Sequence, residues 1–580
     1  MRPFDLPRNG FLTLRNAVRS LRRRGLDFVV LPLEGSFPER AQRRPPLPFP
    51  LSLFSMLPSE ASLEEMQETI DLLGADRRVV GVIFRLRGLQ AGPASLYALR
   101  RLITELHERG KHTVAWLSSA DTWEYYLATA CEEIIMAPPG RLRALGLRTE
   151  ALFLKDTLAM AGIKADLESI AEYKVTPDMF RRSSMTEPHR QMLEAILDSV
   201  FDHFITAVSQ QRNLTRERVR ELIDEMPMTP EAAQEAGLID AVLYEDELAA
   251  RLSKGERLEE GSGNGREAGG NKQAVLVPLD RAARWLRRPL TWTTSERIGV
   301  ISVQGMIVPG KSRRMPTPSP LPIQGQAGAE TLTAALRQAE TDPRIVAVIL
   351  HVDSPGGSSL ASDLIWRQIR RLRERKPVVA LMGDQAASGG YYVSAPAHRI
   401  VARPTTLTGS IGIWGGKFIM GDLYDRLAIG HRELQRGAQA DLYSELRPFN
   451  ERERDRIREE LASAYGHFKE VVAEGRGMSI ERVEEIGRGR VWTGERAVEI
   501  GLVDELGDFE TALAAAKELA KLDLEKDYTI VQIRPPRQEL LPEPFPANTE
   551  ARWGAIRAGL EELACERVWA VAPWTIRLRG

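Results

Sequence analysis

The chain has 580 residues, with 79 basic and 80 acidic side chains for a net charge of -1, 43% hydrophobic and 27% charged residues, and two cysteines. That length holds several domains with cores of their own, and the charge balance lacks the basic excess of a nucleic-acid binder, so no nucleic-acid partner is expected. Cys131 and Cys565 are too few and too widely separated for a thiolate metal site or a disulfide framework, and neither a metal nor a cofactor is expected.

Residues 1–26 are basic and amphipathic: Arg2, Arg8, Arg15, Arg19, Arg22, Arg23 and Arg24 accompany Phe11, Leu12, Leu14, Val18 and Leu21 at helical spacing. This predicts a helix that either lies on a membrane surface, as a peripheral contact, or packs on its own domain. The apolar runs Leu26–Leu33 and Leu47–Leu57 are short and broken by Pro or charge, so no spanning helix is expected. No apolar stretch followed by a small-residue cleavage site indicates secretion.

From residue 27 to 253, β-branched runs such as Val79–Phe84 alternate with helical patterns. Residues 254–273 are Gly-rich and charged, as in a flexible linker. Residues 274–527 repeat the alternation, with a strand expected at Ile345–Val352 and a helix at Leu360–Arg375. Such alternation predicts an α/β fold of βαβ units on largely parallel sheets. Residues 528–580 carry Pro and Trp and show no counterpart in the first half, so no function is assigned to them.

The two long segments are copies. Asp76-Arg-Arg-Val-Val-Gly-Val-Ile aligns with Asp342-Pro-Arg-Ile-Val-Ala-Val-Ile at a separation of 266, and Tyr125-Tyr126 aligns with Tyr391-Tyr392 at the same separation. Further on the separation is 264: His203-Phe204 matches His467-Phe468, and Glu235-Ala-Gly-Leu-Ile-Asp matches Glu499-Ile-Gly-Leu-Val-Asp. A period this long is a duplicated domain rather than a solenoid.

Positions where the copies differ in chemical capacity point to function. Ser410 falls opposite Ala144, and Lys174 falls opposite Ala440, so each copy lacks what the other keeps. A serine hydroxyl needs a base to become a nucleophile, and lysine is a base only when neutral near working pH. Its pKa must then fall by about three pH units, roughly 4 kcal/mol of environment, which apolar burial supplies. Glu172 and Asp178 must face away, since their charges would hold the proton on. The pair Gly356 and Gly357 occurs only in the second copy, just past a strand, where backbone N–H groups can meet a developing oxyanion.

Ser354, Ser358 and Ser388 are alternative nucleophiles in segments that read as backbone-shaping loops, and Lys417 is an alternative base. Thr408-Gly-Ser-Ile-Gly departs from the Gly-x-Ser-x-Gly elbow at its first position. A Ser-His-Asp triad would draw on His351 or His398, whereas His203 and His467, present in both copies, suit packing or hydrogen bonding.

Together Asp353-Ser-Pro-Gly-Gly-Ser, Ala387-Ser-Gly-Gly-Tyr-Tyr, Leu407-Thr-Gly-Ser-Ile-Gly and Tyr173-Lys174 resemble the signal peptide peptidase A family of serine peptidases, in its long, duplicated type. The resemblance implies two tandem domains of repeated ββα units, like those of Clp protease and the crotonases. It implies a Ser/Lys dyad of Ser410 as nucleophile and Lys174 as base, with Gly356 or Gly357 as oxyanion donor. It also implies a homotetramer, peptide substrates such as signal-peptide remnants, and association with the inner or cytoplasmic membrane. A cytoplasmic location is the alternative. A crotonase-type acyl-CoA hydratase or isomerase, or an inactive membrane-associated scaffold, are the competing functions.

Overall fold

The β-branched runs form strands and the periodic segments form helices over them, as expected of βαβ units. A computed structural model describes residues 5–21, 26–40, 61–253, 273–290, 294–313, 325–534 and 568–571. It divides into two units, the first made of residues 1–148, 199–294 and 578–580, the second of residues 149–198 and 295–577. The stretch Thr149–Asp198, part of the first repeat in sequence, therefore belongs to the second unit.

In the first unit one six-stranded sheet runs in the order Ala241–Val242, Glu133–Met136, His112–Leu117, Gly81–Leu89, Phe28–Gly35, Leu276–Pro278. Every pairing in it is parallel. The second unit repeats this plan with Glu505–Leu506, Arg399–Ala402, Val378–Ala387, Ile345–Ser354, Arg297–Gln304 and Thr529–Gln532, and its eight-stranded sheet adds Leu407–Gly409 beside Val378–Ala387 and then Val491–Thr493. All of these pair in parallel except Val491–Thr493, which is antiparallel. Ile298, Val300, Ala347, Ile349, Val379 and Leu381 are wholly buried, the continuous apolar reading of strands covered on both faces.

Each sheet thus ends on a short strand that lies beyond the border read from the sequence. Leu276–Pro278 closes the first sheet and Thr529–Gln532 the second, so the borders at 273/274 and 527/528 each fall one strand early. Strands of three and four residues carry too little alternation to be seen by periodicity. The expected linker lies outside the described residues, apart from Gln273.

The helix predicted at Leu360–Arg375 spans Ser359–Arg373, where the Ser358 hydroxyl accepts the Ala361 amide as N-cap. It buries Ala361, Ile365, Trp366, Ile369 and Leu372 along one face, with Arg370, Arg371 and Arg373 in its last turn. Each large apolar side chain so covered contributes roughly 1.5–3 kcal/mol.

Identical devices hold both units, which explains the repeated motifs. Tyr125 donates to the Leu238 carbonyl and Tyr391 to that of Leu502, both at 2.8 Å. Asp240 accepts the Ile134 amide and pairs with Arg212, while Asp504 accepts the Ile400 amide and pairs with Arg476. His203 meets the Tyr126 hydroxyl, and His467 meets Asp363, so both act as hydrogen-bonding groups of the fold.

The N-terminal segment is helical over Asp5–Leu21, with an inverted arrangement. Its polar residues Asn9 and Arg19 are buried, and Asn16 exchanges hydrogen bonds with the backbone of Arg288. Phe11, Leu14 and Val18 stand 64%, 65% and 53% exposed.

Candidate active site

Three parallel strands of the second unit end side by side. Ser354 pairs with Ala386 and Ala387 pairs with Gly409, so the chain leaves the sheet at neighbouring points after Ser354, Ala387 and Gly409. The carboxyl ends of such strands are where α/β sheets build sites. Ser388 and Ser410 are thereby adjacent, and the Ser388 amide donates to the Gly409 carbonyl at 2.7 Å.

After Ser410 the chain continues as the strand Ile413–Ile419, not as a helix, and pairs antiparallel with Lys164–Ile170. That pairing delivers the lysine. Ile170 faces Ile413, Ala171 turns at a φ of 78°, and the Tyr173 amide donates to the Arg488 carbonyl at 3.1 Å. Gly489 allows the approach, because a Cβ there would lie 2.7 Å from Lys174 Cα.

Lys174 Nζ lies 2.6 Å from Ser388 Oγ, 3.0 Å from Ser410 Oγ and 3.0 Å from the Ser410 carbonyl oxygen. Lys174 is 1% exposed, and both serines are fully buried. Burial alone pushes the lysine well below its usual range, which favours the neutral amine. The nearby acids face elsewhere as expected: Glu172 pairs with Arg488, and Asp178 with Arg181 and Arg182. A neutral amine has two N–H donors and one lone pair. Nζ is within donating distance of all three oxygens, and the lone pair of the neutral form can take a hydroxyl proton from either serine, Ser388 Oγ being the nearer.

The two serines differ in setting. Ser388 sits at φ 55° and ψ -114° on the turn between the strand Val378–Ala387 and the helix Gly389–Ser394, a strained strand-to-helix elbow. Ser410, at φ 51°, is tied by its amide to the Arg490 carbonyl and by its own carbonyl to Lys174. The glycine pair lies on the Ser388 side. A Cβ on Gly389 would stand 3.0 Å from both Gly356 Cα and the Gly357 nitrogen, so only glycines fit where these segments cross.

The remaining sequence candidates have other tasks. The Ser354 hydroxyl donates to the Gly305 carbonyl at 2.6 Å and accepts the Gly356 amide at 3.1 Å, and Ser358 caps a helix. Lys417 donates to the Leu442 carbonyl and lies over the Phe449 ring, and His398 accepts the Val378 amide. Ser388, an alternative nucleophile in the sequence, is not marked by a difference between the copies. It falls opposite Thr122, another hydroxyl, so the difference between the copies was hidden.

The chain is similar to known proteins. Two segments, residues 105–259 and 370–523, match Peptidase family S49. The chain is 33% identical over 491 residues to "Serine protease SPPA, chloroplastic" of Arabidopsis thaliana, covering 84% of this chain and 70% of that one. It is 29% identical over 473 residues to "Protease 4" of Salmonella typhi, covering 80% and 73%. A ClpP1 mutant structure from Listeria monocytogenes aligns with 32% of this chain and 86% of its own at 17% identity, with a TM-score of 0.23. A duplicated mixed α/β chain with this sequence similarity is a serine-type peptidase, and it belongs to Peptidase family S49.

Proposed function

We propose that Ser388 is the nucleophile, Lys174 its general base, and Ser410 the group that aims the lysine, in place of the Ser410 nucleophile read from the sequence. One observation carries this: the 2.6 Å approach of a fully buried Lys174 Nζ to a serine on a strained elbow beside the glycine pair. Lys174 takes the Ser388 proton as Oγ attacks a peptide carbonyl. The backbone N–H groups of Gly357 and Gly389 meet the oxyanion, the Gly356 amide being held by Ser354, and each such donor is typically worth about 100- to 1,000-fold in rate. Lys174 then returns the proton to the departing amine as the C–N bond breaks, and the same base activates water to free the acyl group.

Extended apolar peptides, including signal-peptide remnants, are the substrate class of this reading, bound by strand addition. Acylation of Ser388 by a fluorophosphonate, lost in Ser388→Ala and Lys174→Ala, tests it; labelling that persists in Ser388→Ala defeats it. The tetramer implied by the family resemblance belongs to the same reading, and native mass spectrometry checks it.

Peripheral contact with an anionic membrane surface is a second part of the proposal. It rests on the outward face of Phe11, Leu14 and Val18, flanked by exposed Arg8 and Arg15. Among the described residues no helix is long and apolar enough to cross a membrane.

A further inference from the structure

Ser388 has no accessible surface, and part of what surrounds its site is a strand from the far end of the chain. Val568–Val571 pairs antiparallel with Gly356–Ser358, matching Val571 to Gly356, Ala570 to Gly357 and Trp569 to Ser358. Its other edge pairs antiparallel with Ile413–Ile419, matching Trp569 to Trp414 and Val568 to Gly415. One neighbour carries the glycine pair and the other begins three residues past Ser410. Take Val568–Val571 away, and these two backbones face each other across a slot one strand wide.

Such a slot offers hydrogen-bonding groups on both sides, which is what an extended peptide needs for strand addition. The seated strand fits it closely. Ala570 is fully buried, and the Trp569 ring stacks on Trp414 with centroids 6.2 Å apart. A Cβ added to Gly356 would collide with the Ala570 carbonyl oxygen and stand 2.6 Å from the Gly389 nitrogen, so both lie on the open face of this glycine. A carbonyl of this strand is therefore presented to the backbone groups assigned above to the oxyanion.

We propose that Val568–Val571 is a built-in competitor: a substrate-like strand of the chain's own C-terminal region that fills the peptide groove and must leave before a peptide can reach Ser388. The proposal rests on the assignment of Ser388, and its test separates the two. Occupancy of the groove for nine-tenths of the time would lower apparent peptide affinity about tenfold.

The experiment uses the full chain carrying Ala570→Arg, which cannot be seated at a fully buried position, and independently Trp569→Glu. Both variants are expected to take up fluorophosphonate on Ser388, and to cleave a fluorogenic peptide, at least about tenfold faster than the unaltered chain. A labelled synthetic peptide of residues 566–573 is expected to bind Ala570→Arg combined with Ser388→Ala, read by fluorescence anisotropy. The same peptide carrying Ala570→Arg is expected not to bind. Absence of peptide binding to the opened groove, or unchanged labelling and cleavage rates in both variants, overturns the proposal. Peptide binding with no Ser388 labelling in any form upholds the groove and defeats the assignment of Ser388 instead.

Discussion

Ala387 faces Gly409 across neighbouring parallel strands, and this one pairing puts Ser388 and Ser410, 22 positions apart in sequence, within reach of a single lysine. Two serines on one amine invite a separation of roles. Ser388→Ala is expected to abolish fluorophosphonate labelling and to lower peptide hydrolysis by about 10,000-fold or more, leaving only what binding and the oxyanion donors supply. Ser410→Ala removes one of the lysine's three oxygen partners and keeps the Ser410 carbonyl, so a loss of roughly 10- to 100-fold is expected, with labelling still on Ser388. A reversal of these two results returns the nucleophile to Ser410.

Much of this was legible in the sequence because a duplication exposes its own exceptions. Lys174 against Ala440 and Ser410 against Ala144 identified one end of the cluster, and both residues meet in the structure. Ser388 is less visible in the comparison because Thr122 also carries a hydroxyl; in the first unit that hydroxyl donates to the Gly146 carbonyl, and the Glu124 carboxylate accepts the Gly88 amide near the corresponding turn. A side-chain carboxylate occupies backbone there that the second copy leaves to Gly390. The available signal was the run Val378–Ala387 leading straight into Ser-Gly-Gly, a strand that ends on a small-residue turn. The strand Val568–Val571 was beyond sequence reasoning, since its pairing depends on residues about 150 and 210 positions away.

Buried lysine gives the enzyme a pH signature. Because burial lowers the Lys174 pKa, kcat/KM is expected to rise as pH climbs through that depressed value and to level off below the range of an exposed lysine. Lys174→Arg, which stays protonated at every accessible pH, is expected to be inactive throughout. Stability follows the same linkage. Between the depressed folded value and about 10.4 the unfolded chain binds the extra proton, so this lysine makes stability increase with pH across that window. Lys174→Met is expected to remove that slope and to raise stability at neutral pH, measured by urea unfolding at several pH values. An unaltered slope would mean the lysine is charged in the folded state.

Gly489 is expected to be intolerant for a local reason. At φ 80° with Lys174 Cα 2.7 Å from any added Cβ, Gly489→Ala must displace Lys174 or rearrange the turn. A cost on the order of 1–3 kcal/mol is expected, with a fall in kcat larger than the change in KM. Gly437, which also has positive φ but nothing within 4 Å of an added Cβ, supplies the comparison. Gly437→Ala should share the backbone strain and keep its kcat; equal kcat losses in the two variants would discredit the positional argument.

Matched tyrosines test the duplicated scaffold. Tyr125→Phe and Tyr391→Phe each strip a fully buried carbonyl partner, at Leu238 and Leu502, and each is expected to cost about 1–3 kcal/mol. Hydrogen exchange resolved by segment should show the loss of protection in the unit that carries the substitution. Protection lost equally in both units after either change would contradict two separately cored units.

The N-terminal helix makes the last prediction, and its inverted packing sharpens it. Ordinary amphipathic helices bury their apolar face, whereas Asp5–Leu21 buries Asn9 and Arg19 and leaves Phe11, Leu14 and Val18 outside. Leaving three large apolar side chains in water is unfavourable unless a surface receives them, and the exposed Arg8 and Arg15 beside them favour an anionic one. The full chain is expected to co-sediment with phosphatidylglycerol-rich vesicles, weakly or not at all with purely zwitterionic ones, and less at 0.5 M than at 0.1 M salt. Phe11→Glu with Leu14→Glu is expected to abolish sedimentation without changing the rate of Ser388 labelling in solution. Undiminished sedimentation of that double variant would assign the membrane contact to another surface.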